Sequence, residues 1–487
     1  MAKPGFDGPL IRLSNCCWKI PRSYKAEMRV DGVIYASDEL IDLVRGDQAP
    51  EQVANVATLP GIQVASFAMP DIHWGYGFTI GGVCATDPDE GGVISPGGVG
   101  YDINCGVRLI RTNLSYQEVK PRLKELIDEM FQRVPTGVGR SGKYRFEKSE
   151  LRELMAEGVG YLQRRGLATD ADIENTEARG RLDGAQPGYV SDRALERGAN
   201  QCGTLGSGNH FMEVQIVESI FDAEAAEVLG LSKDQVCVMI HSGSRGLGYQ
   251  VCDDALHKLR GVPEKYGIVL PDRQLACAPV LSPEGQHYLG AMRAAANYAW
   301  CNRQLLMCQA REVFETVFGR SWQDLHMSLM YDVAHNIAKF EEHLIGDGSR
   351  KVWVHRKGAT RAFPPGHAEI PSHYRAIGQP VLIPGDMGRA SWVLVGQQGS
   401  MDQTFGTTCH GAGRVLSRTK AVAQSKGRRI DKELLSRGVI ARAQNWKGLA
   451  EEQPDAYKDV NLVVDVVHEA GLSKQVARMK PIGVIKG

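Results

Sequence analysis

The run Val236-Cys237-Val238-Met239-Ile240-His241-Ser242-Gly243-Ser244-Arg245-Gly246 holds five apolar residues and then breaks into a histidine and a glycine- and serine-rich turn. A run this short, bounded by turn formers, reads as a buried strand that ends at a polar loop. The pattern recurs at Val352 to Val354 before His355, at Val381 to Ile383 before Pro384-Gly385, and at Trp392 to Val395 before Gly396. Between such strands lie amphipathic helices. Ser115 with Glu118 spells a capping box, and Leu123, Leu126, Ile127 and Met130 follow at helical spacing before Pro135 stops the pattern. A second, long helix is expected from about Gly285 to Phe318, with Gly319 as its stop. Strands and helices mixed without a regular βαβ alternation predict an α/β fold of the mixed α+β kind.

The 487 residues suffice for one large core or two. No repeat, low-complexity tract or linker divides them, so a single compact domain over 1–487 is expected. The polar stretch from Thr136 to Gln201 reads as a helical insertion on the surface, a subdomain or lid. Lys and Arg total 57 against 57 Asp and Glu, which excludes a protein held to a polyanion by bulk charge and leaves anion binding to local patches. With 43% hydrophobic and 23% charged residues the chain has a globular composition. Its 11 cysteines are scattered and odd in number, which fits a reduced, cytoplasmic protein. Met1 to Leu10 lacks the pattern of a leader, and no apolar run is long enough to span a membrane.

Glycine is the outlier, at 55 residues, well above the usual 7% or so, and the excess sits in clusters. The first is Met69-Pro70-Asp71-Ile72-His73-Trp74-Gly75-Tyr76-Gly77, followed by Gly97-Gly98-Val99-Gly100-Tyr101-Asp102-Ile103-Asn104-Cys105-Gly106. A tight loop there holds a carboxylate and a thiol three residues apart, within reach of one cation or two neighbouring ones. The second runs from Gly203 to Glu213 and contains Asn209-His210-Phe211-Met212-Glu213; the third is His241 to Gly246. Both set a histidine among backbone donors that suit phosphate, with Asn209 and Arg245 as side-chain donors. His335-Asn336 follows the apolar stretch Met327 to Tyr331. In Cys409-His410-Gly411-Ala412-Gly413-Arg414 the histidine is sterically open, able to act as base or nucleophile, and Arg414 could clamp a phosphate. Pro384-Gly385-Asp386-Met387-Gly388-Arg389-Ala390-Ser391 is a further glycine-punctuated turn.

Each cluster alone has a plain structural reading: a buried small cysteine, turn-rich loops with surface histidines, a satisfied histidine at a strand end. Together, Asp102, Cys105, His210, His241 and His335 supply enough ligands for two adjacent cations and leave His410 over. The soft thiolate by itself points to zinc. Paired divalent ions beside a phosphate nest imply phosphoryl chemistry. Basic stretches that could track a polyanion are Arg350-Lys351, His355-Arg356-Lys357, Arg361, and Arg418 to Arg429 with Lys420, Lys426 and Arg428; each is otherwise a solvated face.

From about Pro60 to Gly487 these segments closely resemble the RtcB family of RNA ligases, with five motifs in the family's order, among them GVGYDINCGVRL and HGAGR. The resemblance implies the family's own α/β fold. It implies a 3′-phosphate/5′-hydroxy nucleic acid ligase: GTP- and Mn2+-dependent joining of an RNA 2′,3′-cyclic phosphate or 3′-phosphate to a 5′-hydroxyl, in tRNA splicing or RNA repair, with archease as a candidate activating partner. By motif, Asp102, Cys105 and His210 match the ligands of one manganese and Cys105, His241 and His335 those of a second, which replaces the zinc expectation. His410 matches the guanylylated histidine. Nucleotide contacts are implied for Asn209, His210, Phe211, Met212, Glu213, His335, Asn336, Pro384, Gly385, Asp386, Met387, Ser391, His410, Gly411, Ala412, Gly413 and Lys486. Asp71 and His73 match a further motif whose role the resemblance does not specify beyond support of the metals or the RNA end. Asp386 stands where some members carry serine. The rival readings are a metal-dependent cyclic phosphodiesterase that needs no GTP, and a non-enzymatic RNA-end binder.

Overall fold

In the computed structural model, which describes residues 5–487, the apolar run at 236–240 forms the middle of the strand Gln235–Ser242. Residues 1–4, where the segment inspected for a leader begins, lie outside the description. The strand extends through His241 because both neighbours keep pairing that far: Val107 and Phe211 each lie opposite His241. His241 therefore stands within a sheet and not in the loop after it. His355 likewise lies inside its strand, Gly348–Lys357.

The sheet built outward from this strand has the order Ser328–Ala334, Gly106–Ser115, Gln235–Ser242, Phe211–Ile220, Ser473–Lys486, Ser391–Gly396, Pro380–Ile383, antiparallel throughout, and Ile440–Ala443 joins Ser473–Lys486 in parallel. A second sheet has the order Ile11–Ser14, Cys17–Ile20, Asp31–Tyr35, Ile62–His73, Ile80–Thr86, Gly348–Lys357, Asn336–Ile345. At one of its crossings between the sheets the chain spends a single residue, His335, between Ala334 and Asn336. A short ribbon pairs Ala359–Arg361 with Thr407–Cys409 and delivers His410 at its end.

The long helix is Pro283–Phe318, started by the Ser282 hydroxyl accepting from Gly285 N and stopped by Gly319 in the left-handed region at φ 64. Ala294, Ala295, Ala296, Trp300, Leu305, Leu306 and Phe314 are fully buried on its different faces, as a helix surrounded by protein requires. The stretch 136–201 contains the helices Lys148–Glu157, Val159–Gln163, Asp170–Glu174 and Asp192–Gly198. Leu151, Leu154, Met155, Leu162 and Leu195 bury themselves against Tyr288, Leu289 and Trp300 of the long helix, so this stretch is a wall of the core and not a cover over the site. The capped helix at Ser115 is broken: the capping box opens Tyr116–Val119, a tighter turn follows at Lys120–Arg122, and the apolar face belongs to Leu123–Arg133. Pro121, which has no N–H to donate, sits at the break.

Two of the four basic stretches, His355-Arg356-Lys357 and Arg361, are interior. Arg356 is fully buried and holds Glu341 through two bonds of 2.7 and 2.8 Å, Arg361 pairs with Glu369, and Lys357 donates to the carbonyls of Tyr76 and Phe78. Buried cations survive only with such partners, so these three cannot track a polyanion. Arg350 is exposed but bridged to Asp87 and Glu90. Among the described residues no helix is long and apolar enough to cross a membrane.

Candidate active site

The turn before the strand Gly106–Ser115 is closed by Cys105 N donating to the Asp102 carbonyl at 2.9 Å, which sets both side chains on one side. Gly243 leaves room for the carboxylate: a Cβ there would lie 2.3 Å from an Asp102 oxygen. Asp102 Oδ1 accepts from Ser244 N at 3.0 Å and Oδ2 lies 2.7 Å from His210 Nε2. Cys105 Sγ is 3.4 Å from His210 Nε2 and 3.2 Å from His241 Nε2, and His241 Nε2 is 3.2 Å from His335 Nε2. Two donor groups result, Asp102/Cys105/His210 and Cys105/His241/His335, each with its ligand atoms within 4.8 Å of one another and both using the same sulfur.

This set fits cations better than it fits itself. Burial, reinforced by the Asp102 charge, pushes the Cys105 thiol well above its ordinary value; burial and neighbouring positive charge push His241 and His335 well below theirs. Neutral imidazoles with lone pairs facing one thiol are poor partners for one another, and Nδ1 of both His210 and His335 is buried with no hydrogen bond. A divalent ion held by these residues would take up the lone pairs and stabilise the thiolate.

The ligands are held by two adjacent polar residues of the long helix. Arg303 donates to the carbonyls of Asn104 and Ser242 at 2.7 and 2.9 Å and pairs with both oxygens of Asp332 at 2.8 Å, bracing the segments that carry Cys105, His241 and His335. Asn302 accepts from Gly203 N and Thr204 N and donates to the Gly243 carbonyl, fixing the loop that leads to His210. Sequence reading missed both. The signal was Asn302-Arg303-Gln304 inside an apolar helix, three polar residues that are all fully buried.

His410 faces this cluster, its ring centroid 4.9 Å from that of His335. Its Nδ1 is 2.5 Å from Asp71 Oδ2, which also accepts from the backbone N of His410 and Gly411 at 3.0 and 3.2 Å. The carboxylate holds the proton on Nδ1 and leaves the Nε2 lone pair outward. Burial alone would raise the Asp71 carboxyl, but the charge and hydrogen bonds of His410, with Lys458, outweigh it and the pKa is lowered. Lys458 donates to the carbonyls of Pro70 and Ile72, on either side of Asp71, at 2.9 and 2.6 Å. Gly413, at φ +73, passes so close that a Cβ would lie 2.2 Å from the Asp71 carbonyl.

One cavity joins the two walls. It is lined by Asp102, Cys105, His241, His335 and His410, by Asn209, Phe211, Glu213, Asn336, Pro384 to Met387, Gly411 to Gly413 and Lys486, and by His73, Arg414, Arg418, Glu452 and Tyr457. Burial raises Glu213 to about 8 and lowers Lys486, whose ammonium lies 5.7 Å from the Phe211 ring centroid. Of the expected site residues, Met212 points to the other face of its strand, into the core with Met130 and Val238. Ser391 sits behind the lining, bonded to Gln215 and to Gly385 N. Asn336 reaches the cavity with its amide already spent on the Asp102 carbonyl and Gly358 N. Asp386 is buried and paired with Arg389 at 2.7 Å, yet burial still raises its carboxyl.

Two expected phosphate donors are committed elsewhere. Arg245 donates to Thr204 Oγ1 and to the carbonyls of Gly137 and Leu205. Arg414 is taken up by Glu452, Tyr457 and the carbonyls of Glu451 and Leu416. Arg418, read only as part of a basic run, is the half-exposed cation of the lining, with a single long contact of 3.4 Å to Glu452.

A family profile described as "tRNA-splicing ligase RtcB" matches residues 52–487. The chain is 54% identical over 481 residues to the tRNA-splicing ligase RtcB of Archaeoglobus fulgidus, covering 99% of each chain, and 54% identical over 479 residues to that of Thermococcus kodakarensis, covering 98% of this chain and 99% of the relative. It is 51% identical over 438 residues to the RNA-splicing ligase RtcB of Mycobacterium tuberculosis, covering 90% of this chain and all of that one. A profile match over most of the length, with such relatives spanning it end to end, places this chain in the RtcB family.

Proposed function

We propose that this protein is an RNA ligase that uses GTP and Mn2+ to join an RNA 2′,3′-cyclic phosphate or 3′-phosphate to a 5′-hydroxyl, as in tRNA splicing or RNA repair. The observation that carries the reading is His410, backed by Asp71, facing across one cavity a five-donor cation site of which Asp102, Cys105, His241 and His335 line that cavity. The names of the relatives, tRNA-splicing and RNA-splicing ligase RtcB, support it. Manganese is proposed on the family resemblance; a bound pair would neutralise phosphate charge on the reacting groups.

With Nδ1–H held by Asp71, His410 attacks the α-phosphorus of GTP through Nε2; an N–P bond forms and pyrophosphate leaves. Glu213 and Lys486 face the nucleotide end of the cavity, where a buried carboxyl and amine suit the edge of a guanine base. An RNA 3′-phosphate oxygen then takes the guanylyl group, and His410 departs as the neutral imidazole it was. The 5′-hydroxyl of the second RNA attacks the activated 3′-phosphorus, GMP leaves, and Arg418 is placed to hold the RNA phosphates. A cyclic phosphate is first opened by water to the 3′-phosphate.

Incubation with α-labelled GTP and Mn2+ should give an acid-labile protein adduct that is absent in His410→Ala and is discharged by RNA ending in a 3′-phosphate. Turnover of the cyclic phosphate without GTP, with no adduct, would establish the phosphodiesterase instead.

A further inference from the structure

Three segments that carry site residues each add a tyrosine to one cluster outside the cavity. Tyr76 follows His73, Tyr101 immediately precedes Asp102, and Tyr249 lies on the helix Arg245–Lys258 that follows His241. Tyr76 meets Tyr101 edge to face with centroids 5.6 Å apart; Tyr101 and Tyr249 are stacked at 4.8 Å with 26° between planes. The Arg197 guanidinium lies 5.1 Å from the Tyr249 centroid and is steadied by Gln250 at 2.9 Å. Tyr249 is 46% exposed. None of these residues lines the cavity; Tyr76 and Tyr101 rest with one side on the core, but neither the phosphoryl chemistry nor the core accounts for the exposed Tyr249 stacked on them with an arginine over its ring.

Stacked rings joined to a guanidinium are what proteins offer to unpaired bases, because every base has a π face and its phosphates meet the cation. The ladder begins one residue from Asp102, so a nucleotide resting on it is close to the end whose phosphorus reacts. We propose that Tyr76, Tyr101 and Tyr249, with Arg197, form the stacking platform for the unpaired RNA nucleotide adjoining the reacting end. This rests on the ligase reading above. A 3′-phosphate strand and a 5′-hydroxyl strand present the same stacking chemistry, and the test separates them.

Binding of two single-stranded RNA oligonucleotides, one ending in a 3′-phosphate and one beginning with a 5′-hydroxyl, is measured at fixed salt for the full chain, Tyr249→Ala and Tyr249→Phe. Tyr249→Ala should weaken one of the two by about tenfold, at the lower end of what one stacked base contributes, and the weakened probe identifies the strand. Tyr249→Phe, which keeps the ring, should bind as the parent does. An abasic nucleotide next to the end of that probe should erase the difference between the parent and Tyr249→Ala. Labelling of His410 by GTP serves as the control for folding. Equal binding of both probes by the parent and Tyr249→Ala overturns the platform. Absence of the GTP adduct in the parent overturns the ligase reading instead, and the affinity comparison still decides the platform.

Discussion

The two walls of the cavity solve different problems. On the wall of Asp102, Cys105, His210, His241 and His335, the donors form two triads that share one sulfur, each within 4.8 Å, and are held from behind by Arg303 and Asn302. On the wall of His410 the charged groups are paired with one another or with carbonyls: Asp71 Oδ2 with His410, Lys458 with the carbonyls around Asp71, Arg414 with Glu452 and Tyr457, while Asp71 Oδ1 is buried without a hydrogen bond. The first wall has the donor set of a cation site, whereas the second binds its reactive ring through Asp71 Oδ2 and holds one nitrogen ready. Damage to the first should therefore be read as lost metal or lost stability, and damage to the second as lost chemistry on an intact fold.

The largest separation is expected between His410→Ala and Cys105→Ala. The first should lose all GTP labelling yet bind Mn2+ as the parent does; the second should lose both, as calorimetry with the ion and the labelling assay would show. Equal loss of metal in the two would erase the distinction between the walls. Asp71→Asn comes next, with labelling slowed by up to about 10⁴-fold, the scale known for an amide that misplaces the proton on a reacting histidine, while metal affinity is unchanged. On the opposite wall, Arg303→Met leaves Asp332 with Arg108 as its remaining buried partner and strips the Asn104 and Ser242 carbonyls of their donor, which should cost about 1–3 kcal/mol of stability, measured by urea unfolding.

The pH dependences sharpen the comparison further. The Cys105 thiol keeps its proton throughout the neutral range, so binding a cation must release it, and affinity should rise with pH by about tenfold per unit; a flat profile would mean that sulfur is not a ligand. Across the cavity, Glu213 holds its proton to about 8 in the folded protein, against an ordinary 4.5. Between those values the unfolded chain has lost the proton and the folded one has not, so this group makes stability fall as pH rises through the window. Glu213→Gln should flatten that limb of the pH–stability curve, the smallest of these effects.

Much of this was legible in the sequence because it is local. The long helix announces itself by composition and by Gly319, and the strand cores at 236–240, 381–383 and 392–395 lie where short apolar runs put them. The donor residues were legible as types in glycine-rich surroundings. What failed was pairing over distance. Arg356 and Arg361 look like solvated charges until the strand partner of one brings Glu341 alongside and the fold brings Glu369 to the other. Arg245 and Arg414 look like free phosphate donors until remote loops supply carbonyls and Glu452. Arg303 looks like a surface residue of an amphipathic helix, because nothing within a turn of it shows that three ligand segments converge on its guanidinium. His241 was set one residue beyond its strand because an apolar run ends there, whereas the ladder on both sides does not.

The crossing at which a single residue, His335, separates a strand of one sheet from a strand of the other has a mechanical consequence. An ion held at that crossing would act as a rivet between the two sheets, since His335 shares its donor group with His241 of the first sheet and Cys105 just before it, while Asn336 starts the edge strand of the second. Chelation should then be felt far from the cavity, as a lower melting temperature of the entire molecule, and heat resistance should track the free concentration of the ion.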